Sequence, residues 1–396
     1  MSLPTPGSTS IPTRRPLPVA VAGFGWMGRA HTQAYARVLH HFPDLPVAPV
    51  LAAVADEVPG RAAAAADQFG FARAELGWPA LVADPDIAAI SVTAPNFLHR
   101  EIGVAVVSAG KHLWIEKPVG LSADDARAVA DAARRAGVRT AVGFNYRNAP
   151  AVQATRDLIA AGGIGRVTHA SFRLLSDYAA HPQGALTWRY ERERGGNGVL
   201  GDLMSHGVDL VRHLLGDLQA VVADTAVFVP QRSRPTGATS GHGRAEGGEL
   251  GDVQNDDWAG GLMRMASGAR VGVEASRVAV GQQNTYGFEI HGTAGMVAWD
   301  FRRMGELRLS TGDRYQDEPA ATVFVGPDAG AYGAFQPGAG IAMGYDDLKV
   351  IEAAAFLRSI ADGEPHGATI DDAVAAAQAL DAMTESVASG RWVTLS

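Results

Sequence analysis

The sequence predicts a two-domain protein, an α/β domain with a doubly wound parallel sheet followed by an α+β domain with a large, mainly antiparallel open sheet. Three observations carry that prediction. An apolar run, Val19–Ala22, leads into glycines spaced G-x-G-x-x-G (Gly23, Gly25, Gly28) and then into a helical stretch, Arg29–Leu39. Strand-like and helix-like segments alternate from there to Phe144, the rhythm of a parallel sheet with crossover helices. Beyond Asn145 the pattern changes to apolar runs separated by glycine-rich turns, as in an antiparallel sheet.

The chain has 396 residues, too many for one ordinary domain. Its 47% hydrophobic and 19% charged content suits a large buried core. A formal net charge of −8 gives no reason to expect nucleic acid or an anionic membrane as partner. The absence of cysteine excludes disulfides, thiolate metal sites and a thiol nucleophile. Only three lysines occur, Lys111, Lys117 and Lys349, so arginine is the default cation and a lysine inside a motif carries weight.

Residues 1–17 are rich in Pro, Ser and Thr and are expected to form a disordered tail. Arg14-Arg15 has the look of an export signal. The apolar run after it is the first strand of the domain, however, so a cytoplasmic protein is expected. No stretch approaches the ~20 apolar residues that span a bilayer.

In the order strand, glycine turn, helix, the opening stretch identifies a Rossmann dinucleotide-binding domain over 18–148. Gly23 permits the tight turn, Gly25 lets a pyrophosphate approach the backbone, and Gly28 lets the helix pack close to the strand. Phe24, Trp26 and Met27 lie between them in the same cofactor turn. Unpaired N–H groups at the helix start then face the phosphates. Val47–Ala55 is the second strand, and Asp56 at its end is placed for the adenosine ribose hydroxyls. That acid favours NAD over NADP, with Arg61 the nearest cation.

Helices are expected over Arg61–Phe69, Leu98–Ala109 and Ala123–Ala136, with a short element at Trp78–Val82. Strands are expected at Ile87–Ala94, His112–Ile115 and Thr140–Phe144. The ligand belongs across the carboxyl ends of those strands, which carry Ala94-Pro95-Asn96 and Glu116-Lys117-Pro118. In the second domain, 149–396, helices are expected at Ala151–Ala160 and Gly201–Leu215, and Val167–Ser176 alternates as a strand. Further strands are expected at Gly261–Met265, Ala269–Ala275, Tyr286–His291 and Met296–Trp299. Pro230–Gly251 reads as a long flexible loop, and Tyr345–Leu357 and Ile370–Ser386 as closing helices.

Lys117, at a strand's carboxyl end, can stabilise an alkoxide that forms only during reaction. Asp202 and His206 are four apart on a predicted helix and share a face. His206 suits proton acceptance near neutral pH, and Asp202 either orients that imidazole or binds a hydroxyl. Asp209 and His213 repeat the spacing in a mostly apolar stretch and read as structural; no metal is expected. Tyr146, Arg147, Tyr178 and Trp188 are candidates for an uncharged carbohydrate, by ring stacking and hydroxyl binding.

The glycine turn, Ala94-Pro95-Asn96 with His99, Glu116-Lys117-Pro118, Gly201–His206, Asn255–Trp258 and the Gly292–Gly295 turn together resemble the glucose–fructose oxidoreductase/inositol dehydrogenase (Gfo/Idh/MocA) family. The similarity covers nearly the whole chain in order. It implies Lys117, Asp202 and His206 as catalytic residues. It also implies a cis peptide before Pro118, and Ala94, Pro95, Asn96, His99, Glu116 and Trp188 near the cofactor. The activity implied is NAD-dependent oxidation of a secondary hydroxyl of a sugar, anhydrosugar (levoglucosan-like), glycoside or inositol. A homodimer or homotetramer is implied as well. The rival readings are an NADPH-linked keto-sugar or imine reductase, and a non-catalytic dinucleotide- or sugar-sensing regulator.

Overall fold

The computed structural model describes residues 14–236, 243–245 and 248–395. Of the tail predicted over 1–17, residues 1–13 lie outside the described residues, and Arg15–Leu17 belong to the first strand instead. The first strand, β1 (Arg15–Ala22), starts four residues before the expected Val19. Arg15–Pro18 pair with one neighbour only, the ladder to the other beginning at Val19, so Pro16 and Pro18 sit where a missing donor is tolerated.

The elements that follow are α1 (Trp26–His41), β2 (Val47–Ala55), α2 (Arg61–Phe69), β3 (Arg73–Glu75), α3 (Trp78–Ala83) and β4 (Ala89–Val92). Next come α4 (His99–Ser108), β5 (His112–Ile115), α5 (Ala123–Ala136) and β6 (Thr140–Val142). The strands form one parallel sheet in the order β3-β2-β1-β4-β5-β6, which reverses direction beside β1 and opens a crevice at the carboxyl edge there. Local chemistry agrees with the elements. Ser122 accepts from the Asp125 N–H to start α5, acids fill its first turn and arginines its last, and Gly137 (φ +65°) ends it.

The second domain begins with α6 (Pro150–Ala160) and β7 (Val167–Leu175). A short turn, α7 (Arg192–Gly195), and a π turn, Leu200–Met204, then lead into α8 (Ser205–Leu215). Strands β8 (Leu218–Ala226), β9 (Gln231–Ser233), β10 (Leu250–Asp252), β11 (Trp258–Met265), β12 (Arg270–Ser276), β13 (Thr285–Gly292), β14 (Gly295–Asp300), β15 (Glu306–Ser310) and β16 (Ala321–Phe324) follow. Helices α9 (Tyr345–Asp362) and α10 (Ile370–Ser389) and strand β17 (Val393–Thr394) close the chain. The large sheet runs β16-β15-β14-β13-β7-β12-β11-β8-β17, antiparallel except where β12 meets β7.

Two sequence expectations change. The stretch Pro230–Gly251 is tied at its ends, since β9 pairs with β10 in a hairpin. Its anchor is Arg232, fully buried, stacked 4.3 Å over the Tyr190 ring and donating to the Ala179 carbonyl. The expected loop at 237–242 and 246–247 lies outside the described residues. Helix α9 also leaves the second domain and packs on the first. Val350, Phe356 and Leu357 bury against Leu17, Val19, Tyr35 and Trp114. At about 1.5–3 kcal/mol for each large apolar side chain buried, that contact fixes the two domains together.

Candidate active site

The glycine turn is shaped by contacts no other residue could make. Gly23 has φ +90°, and a Cβ there would lie 2.8 Å from the Ala94 nitrogen. A Cβ on Gly28 would collide with the Gly23 carbonyl, whereas one on Gly25 would meet nothing within 4 Å. The strand and helix are thus pressed together around an open face at Gly25. Helix α1 begins at Trp26, earlier than the expected Arg29, so the second half of the motif is its first turn. That turn carries no acidic residue and no side-chain cap, which leaves its N–H groups and its positive dipole end uncompensated.

Asp56 closes the turn from below. Its Oδ2 accepts from the Phe24 N–H at 2.7 Å, its Oδ1 from the Val58 N–H at 2.9 Å, and Arg61 Nη1 stands 3.3 Å away. Trp26 is 68% exposed and stacks on Tyr345 at 5.1 Å, and Met27 Sδ accepts from the Tyr345 hydroxyl. A bare helix start, an open face at Gly25 and a carboxylate at the end of β2 fit a dinucleotide.

At the carboxyl edge the peptide Lys117–Pro118 is cis. His99, from the start of α4, ties the two neighbouring turns together: Nε2 bonds the Ala94 carbonyl and Nδ1 the Pro118 carbonyl, both at 2.7 Å. Both partners only accept, and a neutral ring donates to one of them, so the two bonds together favour the imidazolium while burial lowers its pKa. With both nitrogens engaged, His99 holds together the two backbone turns at the carboxyl edge. Pro95 and Asn96 begin the short turn that leads into α4.

Glu116 is likewise engaged by protein groups. It is 6% exposed, and its Oε1 accepts from His31 Nε2 at 2.9 Å and from Lys349 Nζ at 2.5 Å. Burial pushes its pKa up, but Lys349 and His31 outweigh that and hold it well below the carboxylate range. Glu352 completes the cluster, 3.1 Å from Lys349 Nζ and 2.5 Å from Trp114 Nε1. His31, Glu116 and Glu352 have metal-ligand spacing, yet the Lys349 ammonium sits against both carboxylates and supplies the positive charge.

Lys117 lies beside this cluster. Its Nζ donates to the Asp202 carbonyl at 2.7 Å and approaches Asp202 Oδ1 at 3.2 Å. Asp202 Oδ2 accepts from the Tyr178 hydroxyl at 2.6 Å, and Arg189 Nη1 is 3.7 Å away. The carboxylate therefore orients Lys117. His206, one residue into α8, is buried with the Tyr146 ring edge-on at 4.7 Å and Phe144 at 6.1 Å. Burial, then the Lys117 charge, hold its pKa well below the usual histidine range, so the ring is neutral at pH 7. Asp202 belongs to the π turn before α8, not to a regular helix as expected, and such turns often occur at functional sites. Trp188 meets Phe97 edge-on at 5.9 Å, with the Arg189 guanidinium 4.5 Å from its ring.

Arg147 departs from its expected place at a hydroxyl. Its Nε donates to Asp209 Oδ2 at 3.0 Å, a second bond runs from Nη2 to Oδ1, and Asp372 stands at 3.3 Å. A guanidinium so engaged is a structural pair, and it agrees with reading Asp209 as structural. Sequence reasoning missed Asn145, fully buried just after β6, whose amide nitrogen and oxygen both lack a protein partner. It also missed His31 and Lys349. The scarcity of lysine was the available signal for the latter, since Lys111 and Lys349 are buried and Lys117 is 13% exposed at its side chain.

The fold and this site define an oxidoreductase with an NAD-binding Rossmann domain. Residues 17–144 match the oxidoreductase family with NAD-binding Rossmann fold, and residues 152–298 match the GFO/IDH/MocA C-terminal domain. The chain belongs to the GFO/IDH/MocA family. It is 36% identical to levoglucosan dehydrogenase of Pseudarthrobacter phenanthrenivorans over 95% of this chain and 97% of that one. It is 27% identical to inositol 2-dehydrogenase of Rhizobium meliloti over 87% and 91% of the two chains. A solved levoglucosan dehydrogenase in complex with NADH and levoglucosan superposes with a TM-score of 0.89 at 34% identity, covering 96% of this chain and 99% of that one.

Proposed function

We propose that the chain is an NAD-dependent dehydrogenase that oxidises a secondary hydroxyl of a sugar, anhydrosugar, glycoside or inositol to the ketone. The observation that carries this reading is the grip of Asp202 on Lys117, at 2.7 and 3.2 Å, beside a neutral buried His206. The similarity to levoglucosan dehydrogenase supports an anhydrosugar or pyranose as substrate.

NAD bound along the glycine turn supplies the acceptor for a hydride from the substrate carbon. Lys117 keeps one of its three N–H donors for the substrate hydroxyl, two being committed to Asp202. That donor strengthens as the oxygen gains negative charge, which stabilises the transition state more than the ground state. His206 takes the hydroxyl proton on its free ring nitrogen. Tyr146, Tyr178 and Trp188 shape the sugar cleft. Asp56 binds the ribose hydroxyls and disfavours a 2′-phosphate, while 18–148 and 149–396 act as cofactor and substrate units of a homodimer or homotetramer.

The test is a panel of pyranoses, anhydrosugars and inositols with NAD or NADP, followed by absorbance of the reduced nicotinamide. Turnover of at least one polyol with NAD is expected. Lys117→Ala should lower kcat by about 10²–10³-fold with NAD affinity retained. Wild-type rates in that variant would remove Lys117 from the chemistry. NAD binding without turnover of any polyol would point to a sensor.

A further inference from the structure

On the other side of Arg147, four helices converge on a cavity of about 540 Å³ that the proposed reaction does not use. Arg147 enters it from the turn after β6, Arg156 from α6, Arg212 from α8 and Arg358 from α9. One lining carboxylate, Asp372, faces them, its Oδ2 accepting from the N–H of Thr369, the residue that caps α10. Asp209 backs Arg147. The other acids near the arginines lie at the rim: Asp217, 3.1 Å from Arg212, is 77% exposed at its side chain, and Asp44, 3.4 Å from Arg358, is 70% exposed. Exposed pairs of that kind neutralise little. Arg156 forms no ion pair among the described residues.

This concentration of cations stands out in a chain whose formal net charge is −8. His213, on the cavity wall, registers it. Burial, then the charges of Arg147 and Arg156, push its pKa down to about 3, against the opposing charge of Asp372. Its Nε2 lies 3.2 Å from the Gln153 amide nitrogen, which only donates, so that ring nitrogen is an acceptor and the ring is neutral. The wall thus keeps an uncharged histidine between guanidiniums that lack a full set of counter-charges.

We propose that this cavity is a binding site for a compact multivalent anion carrying phosphate or carboxylate groups, held chiefly by Arg156 and Arg358 with Arg212 at its side. Planar guanidiniums match both groups by paired N–H donors, and several converging on one cavity select a ligand with more than one negative charge. The site is distinct from the glycine turn, which lies on β1 and α1.

The experiment is calorimetric titration of the full chain with inorganic pyrophosphate and, separately, citrate, at constant ionic strength. It compares the wild type with Arg156→Ala/Arg358→Ala and with Arg156→Gln alone. Binding by the wild type, weakened about tenfold or more in the double variant and less in Arg156→Gln, supports the site. Binding at the glycine turn is common to all three proteins and drops out of the difference, so the outcome does not depend on the dehydrogenase reading. Tighter binding of pyrophosphate assigns a phosphate ligand; tighter binding of citrate assigns a carboxylate one. No binding of either anion, or equal affinity in the wild type and both variants, overturns the proposal. Arg156→Gln removes one exposed charge, so it keeps the test open if the double variant does not fold.

Discussion

Lys349→Met should expose how much the buried ion cluster contributes to holding the active-site edge. Lys349 is fully buried, with Nζ 2.5 Å from Glu116 Oε1 and 3.1 Å from Glu352 Oε1. Methionine fills nearly the same volume but leaves two buried carboxylates without their shared cation. Breaking a buried pair from one side costs about 3–5 kcal/mol, and total stability is only about 5–15 kcal/mol. The cost should depend on pH. Burial, then the Glu116 charge, already raise Glu352 to about 7 even with Lys349 opposing them. An acid whose pKa is raised by folding binds protons more readily in the folded state, so its unfavourable contribution grows as pH rises through that value. Removing the cation pushes Glu352 higher still, so the loss is larger at about pH 8 than at about pH 6. Urea denaturation followed by circular dichroism at both pH values measures it. Lys349→Met/Glu352→Gln should recover part of the loss at the higher pH, because Gln still accepts from Trp114 without a charge. A loss below about 1 kcal/mol, or one independent of pH, would refute the cluster as drawn.

Three further outcomes follow from the site. Gly25→Ala should leave the melting temperature near wild type, since its Cβ meets no protein atom within 4 Å, while lowering NAD affinity about tenfold or more. Gly28→Ala should lower both, because its Cβ strikes the Gly23 carbonyl and comes within 3.1 Å of Thr93 Oγ1; fluorescence titration with NADH and thermal melts separate the two. The acid limb of kcat/KM should lie below the ordinary histidine value of 6.5, because burial and Lys117 disfavour protonation of His206. Activity is therefore kept as pH falls through 6.5 and lost only further down. A limb at or above 6.5 in the wild type would show that His206 is not the neutral base.

The parts of the fold legible in the sequence are those with a local signature. Buried strands such as Ala89–Val92 appear as unbroken apolar runs, and α5 announces both its ends through Ser122 and Gly137. Strand β16 is exposed along its whole length, so no alternation marks it, and β3 and β17 are too short to show a period. Arg232 illustrates a different limit. Its composition suggested a loop, but a buried guanidinium over Tyr190 is a tertiary fact. At the site, the glycines, Asp56, Lys117 and the Asp202/His206 pair were visible because each lies in a motif with fixed spacing. The protein partners of His99, Glu116 and Arg147 were not legible, because motif membership does not say what a side chain is bonded to. Lys349 lies 233 residues from Glu116, beyond any local pattern.

The glycine turn and the chemistry are separable in this chain, and the way they are joined says what each contributes. The backbone of the turn is built within the first domain, by β1, α1, Asp56 and the Thr93–Ala94 strand end. Lys117 belongs to that domain too, but two of its contacts are supplied by Asp202, from a π turn in the second. That turn brings Asp202 to Lys117 with both its carbonyl and its carboxylate. His206 follows four residues later, directly against Tyr146 from the domain junction. A dinucleotide site could exist without the second domain, whereas an oriented ammonium beside a neutral imidazole could not. Helix α9 is what makes the juxtaposition firm, because it packs across the first domain and places Lys349 beneath Glu116, the residue before Lys117. Lys117 is thus held from two directions, by an acid from the second domain and by a buried salt-bridge cluster under the strand end. On this reading, loosening either support should lower kcat before it alters NAD affinity, as expected when an interaction made in the transition state is the one removed.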